Sequence, residues 1–252
     1  MTGTFINVAA VIAGSLLGML FGARLPERLR QTVVAGLGLF TAAVGVQMFL
    51  NTQNSIIVVV SLLVGALLGE WWRVEDGLRN LGAFLEARFA NGQRSTSGEE
   101  KQDPDQTGRP ANEGRFIRGF LTASLVYCVG PMAILGSLQD GLTGDYQTLA
   151  IKSVLDGFAS LAFASSLGIG VLFSSLPVLV YQGLISLLAG QLSSLVTEPM
   201  MAEMTAVGGV LLLGIAVSSL LELKPIRVGS FLPALLVAPL IVALLAALGI
   251  SF

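Results

Sequence analysis

A lysine and an aspartate one helical turn apart, Lys152 and Asp156, interrupt a long apolar stretch of this chain. Ser153 and Ser160 follow the same pattern, because positions i, i+1, i+4 and i+8 lie on one face of an α-helix. Charged residues are costly in an apolar span and usually mark substrate, ion or proton sites. We therefore expect Asp156 to be an ion or proton site, with Lys152 as its gate partner or as a contact for an anion.

The same pair has a structural interpretation. The Lys152 ammonium can extend toward the membrane surface while Asp156 neutralises it, so that the pair holds neighbouring helices together. The protein is then a non-catalytic membrane scaffold or assembly protein. Exchanging the two residues separates the hypotheses, because a packing salt bridge survives reversal of its charges and an ion site does not.

The segment before this helix, residues 130–145, contains residues that bend or break helices. Gly130 and Pro131 fall about two-thirds along an apolar run, where proline removes a backbone donor and clashes with the preceding turn. The pattern predicts a broken helix or a re-entrant segment, which has to be buried in protein or to line a water-filled cavity. The polar residues that follow are expected at an outer vestibule of the site: Gln139, Asp140 and Asp145.

The composition places these elements in a membrane. Hydrophobic residues make up 54% and charged residues 12% of the 252 residues, and the mean hydropathy is +0.80. At about 20 residues per span, this predicts an all-α, polytopic membrane helix bundle of about 7–8 transmembrane helices in a single transmembrane domain, residues 1–252. The apolar runs are 5–21, 32–50, 56–69, 116–138, 149–171, 176–195, 205–221 and 228–250.

Several functional classes are disfavoured. The net charge of −2 offers no basic surface for nucleic acid, and the absence of histidine removes the commonest zinc sites and nucleophiles that need a histidine base. Cys128 is the one cysteine and cannot form an intramolecular disulfide. We expect no cofactor and leave the presence of a metal open. An intramembrane aspartyl hydrolase is the weakest hypothesis, because residues 141–145, GLTGD, are one residue longer than the GxGD pattern, and we expect no enzyme.

The longest polar stretch has two parts. Residues 74–89 alternate apolar and charged residues at helical spacing and predict an amphipathic helix lying on the membrane interface. Residues 90–115 are rich in Gly, Ser, Asn, Gln, Pro and mixed charge, which predicts a disordered linker. The lipid bilayer is thus the first expected partner.

The basic residues set the expected orientation. Cytoplasmic loops carry the excess of Lys and Arg, and with eight spans every basic residue except Lys152 belongs to one side. We expect both termini outside and the 73–115 linker in the cytoplasm. The residues that decide this are Arg24, Arg28 and Arg30, the stretch from Arg73 to Arg118, and Lys224 with Arg227.

Small residues and a weak internal repeat bear on packing. Gly14, Gly18 and Gly22 form a doubled GxxxG ridge, which serves either packing within the bundle or a homo-oligomer seam. At an offset of 172 residues, inverted three-helix repeats of spans one to three and six to eight are one interpretation, and chance similarity of Leu- and Gly-rich helices is the other. The matching pairs are Leu16 and Leu188, Gly18 and Gly190, Gly36 and Gly208, and Leu39 and Leu211.

Three stretches carry a family resemblance: INVAAVIAGSLLGMLFGARLPERLR at 6–30, GSLQDGLTGD at 136–145 and AIKSVLDGFASLAFASSLGIGV at 150–171. They resemble the YqgA/YdfK-type bacterial integral membrane proteins over nearly the whole chain. The resemblance implies a multi-pass protein of the bacterial inner membrane, similar in architecture to transport proteins, with no settled substrate. Together with the candidate site, it leads us to expect a secondary transporter or ion-conducting protein for a small solute or ion.

Overall fold

The computed structural model describes residues 1–22, 26–89, 114–192 and 195–249, and within these ranges the chain is helical without a strand. Most of the predicted linker, residues 90–113, lies outside the described residues. The helices are α1 (Thr2–Gly22), α2 (Glu27–Phe49), α3 (Ser55–Trp71), α4 (Val74–Phe89), α5 (Arg115–Val129), α6 (Pro131–Leu142), α7 (Gln147–Leu167), α8 (Gly170–Phe173), α9 (Ser175–Leu187), α10 (Ala189–Leu192), α11 (Glu198–Ile215) and α12 (Ala234–Ala247). A π-helical turn, Ala216–Leu220, continues α11, and a 3-10 turn, Val228–Phe231, precedes α12.

The predicted polytopic helix bundle is confirmed. Among the described residues, 6 helices are long and apolar enough to cross a membrane, or up to 8 if each of two bent helix pairs counts as one span. The bent pairs are α3 with α4, at 57°, and α5 with α6, at 62°. Several span boundaries move: α2 begins at Glu27 instead of Thr32, and α11 begins at Glu198 instead of Thr205. Polar residues near helix ends cause these shifts, because hydropathy alone assigns them to loops.

The break between α5 and α6 falls where the sequence predicts it. α5 ends at Val129, Gly130 is extended with φ −73° and ψ 146°, and Pro131 is the first residue of α6. Proline suits that first position, since its missing N–H would lack an intrahelical partner there in any case. The same missing N–H leaves the Tyr127 carbonyl, four residues earlier, without its helical donor.

The GxxxG ridge of α1 packs inside the bundle, against α7. A Cβ added at Gly14 would lie 2.1 Å from the Gly157 carbonyl oxygen, and one at Gly18 would lie 2.2 Å from that of Leu161. Gly22 meets Ser165 in the same way. The two helices are therefore in backbone contact and run in the same direction. The predicted homo-oligomer seam at these glycines is wrong for this face, because α7 covers it; a homo-oligomer stays a prediction that needs another surface.

The second and third helices pack against the last two in the opposite direction. A Cβ at Gly45 would meet the Gly209 carbonyl oxygen of α11 at 2.7 Å, and one at Gly209 would meet that of Gly45 at 2.4 Å. Gly65 of α3 similarly packs on Ala234 of α12. Antiparallel partners of this kind are compatible with inverted three-helix units, and the repeat itself stays a prediction.

The outer surface of the helices is strongly apolar, as a lipid-facing surface requires. Large side chains such as Leu20, Leu67 and Trp71 are 69%, 73% and 79% exposed. α4 buries Leu85 against α5 and leaves Phe84 exposed, which agrees with an interfacial amphipathic helix. Arg115, expected in the linker, is instead the first residue of α5, and its guanidinium donates to the Ser166 carbonyl oxygen at 2.7 Å and 3.0 Å.

Candidate functional site

Lys152 and Asp156 form an ion pair inside the bundle. Their side chains lie on the inward face of α7, and the two residues are only 5% and 8% exposed. The pair follows from the i, i+4 spacing, which brings an ammonium and a carboxylate together on one helix. Ser153 and Ser160 are buried on the same face. All four candidate residues of α7 therefore point away from lipid.

Two amides from other helices join the ion pair. Asn7 of α1 donates from Nδ2 to the Asp156 carboxylate at 3.0 Å and to Oε1 of Gln182, on α9, at 3.2 Å. Both amide residues are fully buried. Close packing of α1 on α7 at the glycine ridge places Asn7 beside Asp156. Neither amide is among the expected site residues, since isolated Asn and Gln in apolar spans more often join helices by hydrogen bonds than bind ligands.

The network has unused hydrogen-bonding capacity. Among the described residues, Asn7 Oδ1 and Gln182 Nε2 are buried atoms without a hydrogen-bond partner. Buried polar atoms normally find partners, because leaving one unpaired costs roughly 1–3 kcal/mol. One free acceptor and one free donor therefore lie on the two amides that meet the Lys152–Asp156 pair.

An aromatic side chain connects this site to the helix break. The Tyr127 hydroxyl accepts a hydrogen bond from Ser160 Oγ at 2.8 Å, and the Lys152 ammonium lies 6.0 Å from the centre of the Tyr127 ring. That distance is at the limit of a cation–π contact. Tyr127 precedes Pro131 by one helical turn, so the break in α5–α6 lies directly beside the polar site. Ser153 takes no part in the network, because its hydroxyl donates to the Leu149 carbonyl oxygen at 2.6 Å.

The three residues expected at an outer vestibule differ in their exposure to solvent. Gln139 is exposed and accepts a hydrogen bond from Thr148 at 2.7 Å, and Asp145 is also exposed, accepting one from the backbone N–H of Gln147 at 3.0 Å. Asp140, however, is buried, so its placement in an open vestibule is wrong. The helical period explains the difference, because residues 139 and 140 point about 100° apart on α6.

Asp140 instead binds the start of α1. Its carboxylate accepts a hydrogen bond from the Gly3 backbone N–H at 3.0 Å, and the Met1 amino nitrogen lies 3.1 Å from its other oxygen. Gly3 and Asn7 are four residues apart on α1, so the contacts to Asp140 and Asp156 are separated by about 6 Å along that helix. α1 is thus the element that links α6 to the ion pair on α7.

A third buried carboxylate, Glu203, lies on α11, two residues before the predicted apolar run 205–221. Glu203 is fully buried and accepts three hydrogen bonds: from the Thr52 hydroxyl at 2.8 Å and from the backbone N–H groups of Gln53 at 2.8 Å and Asn54 at 3.0 Å. These donors belong to the connection between α2 and α3. Its position among the buried residues Ala206 and Val207, at i+3 and i+4, is the signal that could have identified it.

The described residues contain no group of three or more His, Cys, Asp or Glu that could hold a metal ion. At the helix break there is a cavity of about 10 Å³, which is room for a single water molecule. It is lined by Val129, Pro131, Ile134, Tyr181, Met201, Met204, Thr205 and Leu235.

Comparison with known proteins assigns the chain to a family. The profile of a protein family of unknown function, DUF554, matches residues 2–243. The chain is 35% identical over 236 residues to the uncharacterized protein YqgA of Escherichia coli (strain K12), covering 94% of each chain. It is 29% identical over 256 residues to the uncharacterized membrane protein YdfK of Bacillus subtilis (strain 168), covering 100% of each. No solved structure matches it significantly. The expected resemblance to YqgA/YdfK-type proteins is confirmed.

Proposed function

This chain belongs to the DUF554 family of proteins of unknown function, and we propose that it is a secondary transporter or ion-conducting membrane protein for a small solute or ion. Its polar site lies between the broken helix α5–α6 and the Lys152/Asp156 face of α7. The observation that carries the proposal is that a buried ion pair shares its hydrogen-bond network with amides that retain a free acceptor and a free donor.

The energetics of burial support a functional role for this network. Moving a carboxylate and an ammonium out of water costs several kcal/mol per ion, and apolar side chains of similar volume often stabilise a fold equally well. Packing alone therefore gives no reason to place Lys152 and Asp156 inside an apolar bundle. A site that has to bind a charged or polar solute gives such a reason.

The broken helix supports the proposal independently. Non-helical backbone at membrane depth is tolerated where it is buried in protein or lines a solute path, and transporters use such breaks at their binding sites. Here the break at Gly130 is one turn from Tyr127, whose hydroxyl contacts Ser160 of the site. We propose no catalytic residue and no cofactor.

The proposed location is the bacterial inner membrane with both termini outside. Both termini are predicted on one side of the eight spans. Every basic residue of the sequence other than Lys152 is predicted on the other side, near the span ends or in the 73–115 linker. The described apolar helices support a multi-pass membrane protein. A C-terminal reporter that is active only in the cytoplasm tests the orientation: we expect no activity, and a fully active fusion would contradict it.

Flux through reconstituted liposomes tests the proposed function. We expect the wild-type protein to carry one of a panel of ions, amino acids and organic acids, and Asp156→Asn to reduce that flux at least tenfold. Glu198→Gln is the matched control, since it removes one carboxylate charge from an exposed residue outside the site, on the first turn of α11, and should leave the flux unchanged. Wild-type flux equal to that of Asp156→Asn for every solute would overturn the proposal.

A scaffold or assembly role is the second candidate, and one observation favours it. The Lys152–Asp156 pair is closed, with the ammonium on the carboxylate and Asn7 as a further donor, as a packing salt bridge would be. The exchanged variant Lys152→Asp/Asp156→Lys separates the two functions. Asn7 can serve either arrangement, because its amide has both a donor and an acceptor. A scaffold keeps its stability and its cellular role in the exchanged variant, whereas a transporter keeps the fold and loses flux.

A further inference from the structure

The Lys152 ammonium lies close to two groups that attract a cation. It contacts one oxygen of Asp156, and its distance to the centre of the Tyr127 ring is 6.0 Å. Asn7 approaches the same Asp156 oxygen through Nδ2, and its own carbonyl oxygen, Oδ1, has no partner among the described residues. An ammonium on a flexible four-carbon stem is a tethered monovalent cation.

The remaining atoms of the site suit a free cation of the same charge. Carboxylate and amide oxygens are the ligands that hard cations prefer, and Asp156 with Asn7 Oδ1 supplies both types. The free donor Gln182 Nε2 cannot bind a cation directly, but it can hold a water molecule that the cation carries. The Tyr127 ring face also attracts a cation.

Charge balance selects a single positive charge. One carboxylate is neutralised by one ammonium in the closed pair, so once the Lys152 ammonium has moved out of the site a monovalent cation restores neutrality, whereas a divalent cation would leave a net buried positive charge. The described residues also offer no cluster of three acidic groups for a divalent ion. An anion bound in place of the Lys152 contact would leave Asp156 unpaired next to a second negative charge.

We infer that Asp156 and Asn7 bind a small monovalent cation of the alkali-metal or ammonium class, and that this cation competes with the Lys152 ammonium for the Asp156 carboxylate. The inference rests on the proposed function, because it names the solute class of the same site. Lys152 is then an internal competitor that closes the site when no free cation is bound.

The test measures thermal unfolding of purified protein in detergent with NaCl, KCl, LiCl or NH4Cl, against choline chloride at equal ionic strength. Lys152→Met removes the competitor and leaves the buried carboxylate without its partner. We expect one of the four cations to raise the unfolding midpoint of Lys152→Met by roughly 3 °C or more over choline, and that of the wild type by less. MgCl2 and CaCl2 should give no larger shift than choline.

Two controls keep the test decisive. Lys152→Met/Asp156→Asn lacks both charges and should show equal midpoints in all salts, whereas Glu198→Gln, which removes an exposed carboxylate outside the site, should behave as the wild type. If Lys152→Met cannot be purified, binding of radioactive Na⁺ and of the K⁺ analogue Rb⁺ is measured on the wild type and on Asp156→Asn. Equal midpoints of Lys152→Met in all salts, or equal Na⁺ and Rb⁺ binding by wild type and Asp156→Asn in that second assay, would overturn the inference.

The two proposals fail in different ways. Cation-dependent stabilisation of Lys152→Met without any wild-type flux supports the cation site and contradicts transport. An Asp156-dependent flux of another solute, with no response to monovalent cations, supports transport and contradicts the cation site.

Discussion

Asp156 and Glu203 are both buried carboxylates on apolar helices, and the structure neutralises them by different means. Asp156 is held by the side chains of Lys152 and Asn7, and each of these side chains can rotate about its own bonds. Glu203 is held by two backbone N–H groups and one hydroxyl of a single connection, with no cationic partner in the described part of the chain. Backbone donors cannot leave without unfolding the connection, whereas a lysine side chain can move to another rotamer. The difference indicates a structural role for Glu203, and it agrees with the proposal that the partner of Asp156 can be exchanged.

Two further carboxylates share one feature with Glu203, a backbone N–H donor near the start of a helix, although each also has a cationic partner: the Met1 amino group for Asp140 and Arg79 for Glu75. Asp140 accepts from the Gly3 N–H at the start of α1, and Glu75 accepts from the Gly229 N–H at 2.7 Å, in the 3-10 turn before α12. Glu203 likewise binds the residues that precede α3. The first N–H groups of a helix lack intrahelical partners and lie at the positive end of its dipole. A carboxylate there accepts their hydrogen bonds and interacts favourably with the dipole. Asp156 differs from these three because its donors among the described residues, Lys152 and Asn7, are both side chains, and none is a backbone N–H at the start of a helix.

Removing one member of the ion pair should have the largest effect. In choline buffer, Lys152→Met is expected to lower the free energy of unfolding by about 4 kcal/mol, because an unpaired carboxylate stays buried. Adding Asp156→Asn should restore stability to within about 1 kcal/mol of the wild type, since the charge is then absent. Denaturant or thermal unfolding of the two single variants and the double variant measures the coupling. A double variant as unstable as Lys152→Met would contradict the expectation that stability can be restored at the Asp156 site but not at the Glu203 site.

Removing the Glu203 carboxylate should lower the free energy of unfolding somewhat less than Lys152→Met does. A second substitution should not restore the lost stability. Glu203→Ala is expected to lose about 3 kcal/mol, because the Gln53 and Asn54 N–H groups lose their acceptor. The companion substitution Thr52→Val removes the third donor and leaves these two backbone donors in place, so it should restore nothing. Glu198→Ala, on the exposed first turn of α11, serves as the control with a change below about 0.5 kcal/mol. Rescue by Thr52→Val would contradict the structural assignment.

A substitution that separates α1 from α7 should disturb the Asp156 site and leave the Glu203 site unchanged. Gly14→Ala places a Cβ 2.1 Å from the Gly157 carbonyl oxygen and should cost about 2 kcal/mol as the helices separate. Hydrogen–deuterium exchange should rise in α7 and stay constant at the Glu203 connection, residues 52–54. Gly36→Ala is the control, since a Cβ there meets nothing within 4 Å. Equal increases in both regions would show that the two sites are not independent.

The smallest effect is expected for a single donor to Glu203. Thr52→Val removes the hydroxyl that donates at 2.8 Å and should cost about 1 kcal/mol, the value of one hydrogen bond. Thr143→Val is matched in size and removes an exposed hydroxyl whose loss should be almost neutral. Unfolding midpoints of the two variants in the same detergent give the comparison, and equal midpoints would show that the Thr52 bond contributes nothing.

The sequence predicts the helix break and the polar face of α7 because both depend on local rules. Proline beyond the first turn removes a helical hydrogen bond and favours a bend or a break, and a charge pair within an apolar run is visible as spacing alone. Asn7 and Gln182 could not be assigned to Asp156 in advance, since their meeting depends on how α1 and α9 pack on α7. Glu203 was missed for a related reason, because hydropathy cannot separate the polar end of a buried helix from a loop.

Gly130, the single residue between α5 and α6, is a potential hinge. α6 has 12 residues and is therefore about 18 Å long, so a rotation of about 10° at Gly130 displaces its far end by about 3 Å. That end carries Asp140, which holds the start of α1, and α1 carries Asn7. A rotation at Gly130 would therefore act on the start of α1 through Asp140, and the backbone contacts of α1 with α7 would resist its transmission to Asn7.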